Sequence, residues 1–189
     1  FQQDDGADGI VSMEAENYHA NVAQGTDEWV LVTSPTGYTG SGSMQTQPMD
    51  GTNNDTGYVT NSPRLDFQIN FVKTGTHYVW IRGYAEGGTS DSIHIGLDGQ
   101  AVDTSDRISG YTYSQWEWSN DTMDGVGATI DVASTGEHTL NAWMREDGFR
   151  VDKIVLTVNS GYTPTGDGPP DSPTGPTNEA PTANDDSYS

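Results

Sequence analysis

Arg64-Leu65-Asp66-Phe67-Gln68-Ile69-Asn70-Phe71 alternates polar and apolar side chains over its whole length. Neighbouring residues of a β-strand point to opposite faces, so Leu65, Phe67, Ile69 and Phe71 make one apolar face and the residues between them face the other way. The same period recurs outward in both directions. Tyr78-Val79-Trp80-Ile81-Arg82 is dense in β-branched and aromatic residues, the types that fit a pleated surface. Ile93, Ile95 and Leu97 alternate with Ser92, His94 and Gly96, and Asp98-Gly99 then supplies a tight hairpin turn. Ile130 and Val132 lead through Gly136 into Thr139-Leu140-Asn141-Ala142-Trp143-Met144-Arg145, and Asp147-Gly148 turns the chain into a last strand, Val151 to Val158. No window of useful length carries helical spacing. Eight or more short strands so spaced predict an all-β fold, an antiparallel β-sandwich of jelly-roll type.

Composition narrows the class of partner. The 189 residues include 28 Asp and Glu against 7 Lys and Arg, a net charge of -21, and no Cys. Phosphate backbones are bound by Lys and Arg, so nucleic acid is excluded as an expected partner. No stretch approaches the roughly 20 apolar residues of a membrane helix. Strong acidity suits a salty or extracellular setting, where self-repulsion is screened. With abundant Gly, Thr, Ser and Asn, the chain reads as a secreted, monomeric β-module. The start, Phe1-Gln2-Gln3-Asp4-Asp5, has no signal-peptide pattern, which reads as a cytosolic or an already processed chain.

The organisation changes near residue 160. From Ser160 onward six prolines sit among Gly, Thr, Asp and Ser, a composition that reads as an extended linker over 160–177. The end, 178–189, resembles the first strand of cadherin-like or bacterial immunoglobulin-like repeats. The expected layout is an N-terminal extension over 1–8, a sandwich over 9–159, the linker, and the start of a following module.

Three carboxylates stand out. Glu14 and Glu16 lie two apart in Met13-Glu14-Ala15-Glu16-Asn17-Tyr18, and an extended strand would turn both to one face. Asp152, in Arg150-Val151-Asp152-Lys153-Ile154-Val155-Leu156, shares its strand face with Ile154, Leu156 and Val158. A carboxylate on an apolar row has to be neutralised, hydrogen-bonded or metal-bound. A hard cation joining Glu14, Glu16 and Asp152 would satisfy all three; the alternative is that the glutamates are surface residues and Asp152 pairs with Lys153 or Arg150. Zinc is disfavoured by the lack of Cys and of a closely spaced His pair.

Other clusters admit more than one reading. Asp50-Gly51-Thr52-Asn53-Asn54-Asp55 can be a turn, a set of hydrogen-bonding groups for a sugar, or a cradle for another calcium, though it lacks the distal glutamate of an EF-hand loop. Trp116-Glu117-Trp118, with Tyr111 and Tyr113 before it, can supply an aromatic wall for the apolar C–H faces of a sugar, or one Trp can fill the core. Arg145 can hold a carboxylate of a ligand or pair internally with Asp91 or Glu146. Glycoside hydrolysis needs two carboxylates flanking the bond, and Glu117 with Asp147 could supply them, though so short-looped a chain leaves little room for a deep catalytic cleft. His19, His77, His94 and His138 are scattered and read as structural.

Taken in order, Ile10-Val11-Ser12-Met13-Glu14-Ala15-Glu16-Asn17-Tyr18, Thr36-Gly37-Tyr38-Thr39-Gly40-Ser41-Gly42, Arg64-Leu65-Asp66-Phe67, Tyr78-Val79-Trp80-Ile81-Arg82, Asp91 to Gly99, Trp116-Glu117-Trp118, Gly136-Glu137-His138-Thr139-Leu140 and Arg145 to Ile154 resemble carbohydrate-binding modules of families 6 and 35. The likeness is closer still to the C-terminal domain of family 115 glycoside hydrolases, and it covers about residues 9–158. It implies a galactose-binding-domain-like sandwich with a structural calcium (Ca2+) held by Glu14, Glu16, Asp152 and a backbone carbonyl near Thr39, in keeping with calcium's taste for six to eight oxygen ligands. It also implies that Trp116 and Tyr38 sandwich a sugar. Where family 6 has a late-loop amide, this chain has Glu146-Asp147-Gly148-Phe149. Ligand contact is therefore expected from Tyr38, Asn54, Trp116, Trp118, Arg145, Asp147 and Phe149, with no catalytic residue. The resulting expectation is a calcium-stabilised, non-catalytic module of a secreted multidomain enzyme, holding a neutral polysaccharide. Its alternatives are a calcium-dependent adhesin or spacer domain and, further off, a small lyase or glycosidase.

Overall fold

A computed structural model describes residues 1–175. The strands are β1 (Val11–Glu14), β2 (Ala20–Val22), β3 (Glu28–Val32), β4 (Ser43–Gln47), β5 (Arg64–Phe71), β6 (Gly75–Tyr84) and β7 (Ile93–Leu97). They continue as β8 (Gln100–Ala101), β9 (Ile108–Ser109), β10 (Trp116–Ser119), β11 (Asp121–Thr122), β12 (Thr129–Val132), β13 (Gly136–Met144) and β14 (Arg150–Thr157). A single turn of α-helix, α1 (Tyr58–Asn61), and a 3-10 turn at Ala15–Asn17 interrupt them. One sheet runs β10-β6-β14-β4-β3, with β1 on β14 and β12 on β6; the other runs β11-β9-β7-β13-β5-β2, with β8 on β7. All strand pairs are antiparallel. This is the two-sheet sandwich the alternation predicts.

The core lies between the sheets and uses the expected faces. Leu65, Phe67, Ile69 and Phe71 of β5 meet Val79 and Ile81 of β6, Ile93 and Ile95 of β7, and Leu140, Ala142 and Met144 of β13, all essentially without exposure. Asp98 and Gly99 both have positive φ, which is the primed turn that matches the twist of the β7–β8 hairpin.

The apolar row of β14 departs from simple alternation. Val151 and Ile154, three residues apart, both face the core, because the register with β6 shifts between Val151 and Lys153. A bulge places one extra residue on the strand and reverses its parity. Asp152 therefore does not share a face with Ile154 and Leu156, as strict alternation predicts. It lies with Arg82 of β6 on the side turned away from the core.

The segments read from sequence as an extension and a linker are both docked. Phe1 is buried against Phe67 and His19, with its ammonium donating to the Gln68 carbonyl. Residues 160–175 run back as a strap over the outer side of the β6–β14 sheet. Lys153 Nζ donates to the carbonyls of Asp167 (3.0 Å) and Pro169 (3.1 Å), and the Trp118 indole donates to Gly166 (3.0 Å). Ser12 and Ser172 then pair, Ser172 N–H to the Ser12 carbonyl and Ser12 N–H to Ser172 Oγ. Glu14 N–H donates to Asp171 Oδ1, so the strap fills the free edge of β1. Prolines at 169, 170 and 173 offer no N–H of their own, and the covered edge is closed to further pairing. The expected module start at 178–189 lies outside the described residues.

Candidate functional site

Two constellations hold the residues singled out by the sequence. The first is the clasp at the start of β1. Glu14 ends that strand, but Glu16 sits in the 3-10 turn, so the two carboxylates converge through a turn and not through strand parity. The loop between β3 and β4 closes over them. Thr39 donates its N–H to Asp152 Oδ1 at 2.7 Å and its hydroxyl to Glu14 Oε2 at 2.6 Å. Ser41 N–H donates to Glu16 Oε1 at 2.6 Å. Gly40, with φ of 63°, passes so close to Glu16 that a Cβ there would overlap the carboxylate.

Glu14, Glu16, Thr39 and Asp152 are neighbours here, but Thr39 meets the carboxylates with its N–H and hydroxyl and not with the backbone carbonyl expected near it, and the carboxylates have partners the sequence did not show. Glu14 Oε1 pairs with Lys153 at 2.8 Å, and Asp152 Oδ2 pairs with Arg82 at 2.5 Å. Asp152 is fully buried and takes neither Lys153 nor Arg150 as its cation. Burial pushes both carboxyls above their ordinary range; Lys153 and Thr39 oppose this at Glu14, as Arg82 and Thr39 do at Asp152. Glu16 Oε2 is buried and has no donor among the described residues. The donor set is all oxygen, the chemistry a hard cation prefers, but Lys153 and Arg82 already neutralise Glu14 and Asp152.

The second constellation runs from the aromatic end of β10 to the loops beside it. Trp116 and Trp118 lie on one face, opposite Tyr84 and Arg82 of β6, and both are half-buried. Trp116 donates to the Thr36 carbonyl at 3.2 Å, abuts Gly37, and lies under the Arg82 guanidinium at 5.7 Å. Tyr38 follows in the same loop and is half-buried. Trp118 lies beneath Gly166 and Gly168 of the strap. Neither fills the core; the fully buried tryptophans are Trp29 and Trp143, the latter packed under Tyr58 of α1.

Several expected ligand contacts are otherwise engaged. Phe149 is 1% exposed and packs on Tyr111 and Gly83, so it is a core residue and offers no face to a ligand. The bulge-bearing strand begins one residue later and turns that ring inward. Arg145 is also buried, bonded to Asp55 (3.0 Å), Ser92 Oγ (2.8 Å) and Glu146 (2.9 Å), which is the internal pairing alternative. Asn54 spends its amide on Ser62, and its carbonyl accepts from His94. Asp147 accepts N–H bonds from Asp50 and Gly51. Glu117 accepts from Thr112 N–H, so Glu117 and Asp147 serve as anchors of two different loops.

A cavity of about 260 Å³ opens between these loops, lined by Met49, Gly51, Glu86, Thr89, Ser90 and Asp147. Sequence reading missed all of them except Gly51 and Asp147, because neither Met49 after β4 nor the β6–β7 loop carries a motif. Asp91 beside it is pushed up to about 6, first by burial and then by Glu146. Asp27, Asp50 and Asp147 bring carboxylate oxygens within 4.8 Å of one another, close enough to share one ion. A larger hollow of about 900 Å³ lies between the first residues and the strap, and holds none of the expected contacts.

Comparison with known proteins places this geometry. Residues 6–171 match the glycosyl hydrolase family 115 C-terminal domain, so the matched unit includes most of the strap. An uncharacterized protein of Formosa agariphila is 38% identical over 113 residues, 56% of this chain and 27% of that protein; the chain thus spans about a quarter of the length of its relative. Among solved structures, a family 35 carbohydrate-binding module from Paenibacillus barcinonensis superposes with a TM-score of 0.55 at 23% identity, covering 79% of this chain and 99% of that one. A Podospora anserina GH26-CBM35 β-(1,4)-mannanase gives 0.53 at 20% identity over 82% of this chain and 29% of that one. The fold is that of these carbohydrate-binding modules.

Proposed function

The chain belongs to the glycosyl hydrolase family 115 C-terminal domains, and on that premise we propose that it is a non-catalytic carbohydrate-binding module of a secreted, multidomain polysaccharide-degrading enzyme. The observation that carries the reading is the half-buried Trp116, held at a sheet edge by Thr36 and Arg82 beside Tyr38. A ring so fixed has little freedom to lose when a sugar stacks on it. The expected chemistry is stacking on Trp116 and Tyr38, with hydrogen bonds from the neighbouring loops.

Charge favours a neutral polymer. Six of the seven basic side chains, Arg64, Arg82, Arg107, Arg145, Arg150 and Lys153, are already paired with carboxylates. A uronate or sulfate would have to displace one of them from an acidic protein. Calcium enters this reading as a structural ion at Glu14, Glu16, Asp152 and Thr39, where Glu16 Oε2 waits for a partner. Affinity electrophoresis against a panel of neutral and acidic polysaccharides tests the proposal. Retardation by a neutral glycan, lost in Trp116→Ala and Tyr38→Ala, is the expected result. No retardation by any glycan with calcium present would leave the spacer or adhesin reading in its place, and release of reducing sugar would make the chain an enzyme.

A further inference from the structure

The acidic triad away from the clasp is built differently from the clasp itself. Asp27 comes from the tight Gln24–Asp27 hairpin turn that carries the chain from β2 in one sheet to β3 in the other, Asp50 from the loop after β4, and Asp147 from the turn between β13 and β14. Asp27 and Asp147 are each 3% exposed, while Asp50 reaches solvent. At the clasp, Lys153 and Arg82 neutralise two of the carboxylates. Among the described residues, no Lys, Arg or His forms an ion pair with Asp27, Asp50 or Asp147.

Asp27 gives the independent sign of a missing partner. Among the described residues its buried Oδ1 has no donor, and its Oδ2 takes only a long 3.4 Å bond from Thr26. A buried acceptor left unpaired beside two further carboxylates is unfavourable and calls for a compensating partner. Burial, then Asp50, then Asp147 push the Asp27 carboxyl upward. Gln24, across the same hairpin, has a second buried carbonyl oxygen with no donor. Every group that converges here is a hard oxygen donor, with no nitrogen or sulfur ligand in the triad.

We infer that Asp27, Asp50 and Asp147 form a hard-cation site separate from the Glu14 clasp, suited to a calcium-sized divalent ion. The loop after β4 and the β13–β14 turn are already tied by the Asp50 and Gly51 N–H bonds to Asp147, and an ion there would add the Asp27 turn to them. Gly51 and Asp147 also line the 260 Å³ cavity, so the ion would hold one wall of that cavity in place. The inference does not depend on sugar binding or on the clasp holding calcium.

The test uses the full 189-residue chain, stripped with chelator and titrated with calcium by calorimetry. Terbium luminescence reads bound ion near either Trp29, two residues beyond Asp27, or Trp116, beside the clasp loop, and Glu16→Gln separates the two contributions. Wild type and Glu16→Gln should both show the terbium-sensitised site. Asp27→Asn and Asp50→Ala should weaken it by about tenfold or more, since the number of carboxylate ligands sets affinity. Asp50 is exposed, so Asp50→Ala answers the question even if Asp27→Asn folds poorly. Wild-type calcium affinity in Asp50→Ala, or loss of all cation binding in Glu16→Gln alone, would overturn the inference. So would the absence of any cation binding, which would leave Asp27 neutralised by a proton.

Discussion

Arg82 and Asp152 meet at 2.5 Å on the outer side of the bulge in β14, the arginine side chain 8% exposed and the aspartate not at all. The bulge and the ion pair are one device: the extra residue carries the carboxylate off the core face and delivers it to the arginine on the adjacent strand. Removing one partner from such a pair leaves a bare buried charge and typically costs about 3–5 kcal/mol. Arg82→Ala is therefore expected to be strongly destabilised in chelator. With calcium the loss should shrink, because an ion at the clasp replaces the lost positive charge. Melting temperatures of the variant with and without calcium check this, and an equal loss in both would argue that Asp152 binds no ion.

The wild-type protein should melt at lower temperature in EDTA than in calcium. Glu16→Gln should reduce that difference at little cost of its own, since among the described residues Glu16 has no cation partner and its Oε2 has no donor. Calorimetric scans with and without chelator measure both effects.

Asp91 gives a pH signature. Its carboxyl is pushed from 3.8 up to about 6, by burial first and then by Glu146. A carboxyl raised in the folded state contributes stability that is full below about 3.8 and is lost as pH rises through about 6. Asp91→Asn should therefore melt higher than wild type at pH 7.5, and the difference should fade by about pH 4. His94 acts in the opposite sense. Buried, with Nδ1 accepting from Arg107 N–H, it is pushed down to about 4, so its contribution is present above 6.5 and lost as pH falls through 4. The two oppose one another between about pH 4 and 6, and only the difference between variant and wild type isolates Asp91.

Phe149 and Trp116 should separate stability from binding. Phe149→Ala removes a fully buried ring and should cost about 3–5 kcal/mol. Trp116→Ala, half-buried at an edge, should cost roughly half as much or less while abolishing glycan retardation. Denaturant melts beside affinity electrophoresis distinguish them.

Deleting residues 160–175 should expose Trp118 and open the edge of β1. Several bonds at about 1 kcal/mol net each put the loss at about 3 kcal/mol or more. Tryptophan emission should move to longer wavelength, and a truncated chain with unchanged emission and melting temperature would refute the docking of the strap.

The sandwich was legible because Leu65 to Phe71 and Ile93 to Leu97 are half-buried strands whose period of two survives folding. The clasp was legible in its members but not in its geometry. Glu16 reaches the site through a 3-10 turn, and Asp152 through a bulge, and neither leaves a mark on local alternation. Asp27 was invisible, since an aspartate two residues after a glycine reads as turn chemistry until Asp50 and Asp147 are folded against it. The strap was misread for a related reason. Proline and glycine mark a segment that makes no ladder of its own, and they do not reveal that carbonyls of Gly166, Asp167 and Pro169 will find an indole and an ammonium to accept from.

The strap also sets how the domain bears tension. It runs antiparallel to β1, with Ser172 on Ser12 and Pro173 beside Gln2, so residues 1 and 175 leave from the same end. A pull between them peels those bonds one after another instead of loading them together. The strap should yield first, paying out sixteen residues, or about 55 Å of slack at full extension, before the sandwich feels the force. Under tension between residues 1 and 175 that segment would act as a shock absorber for the sandwich.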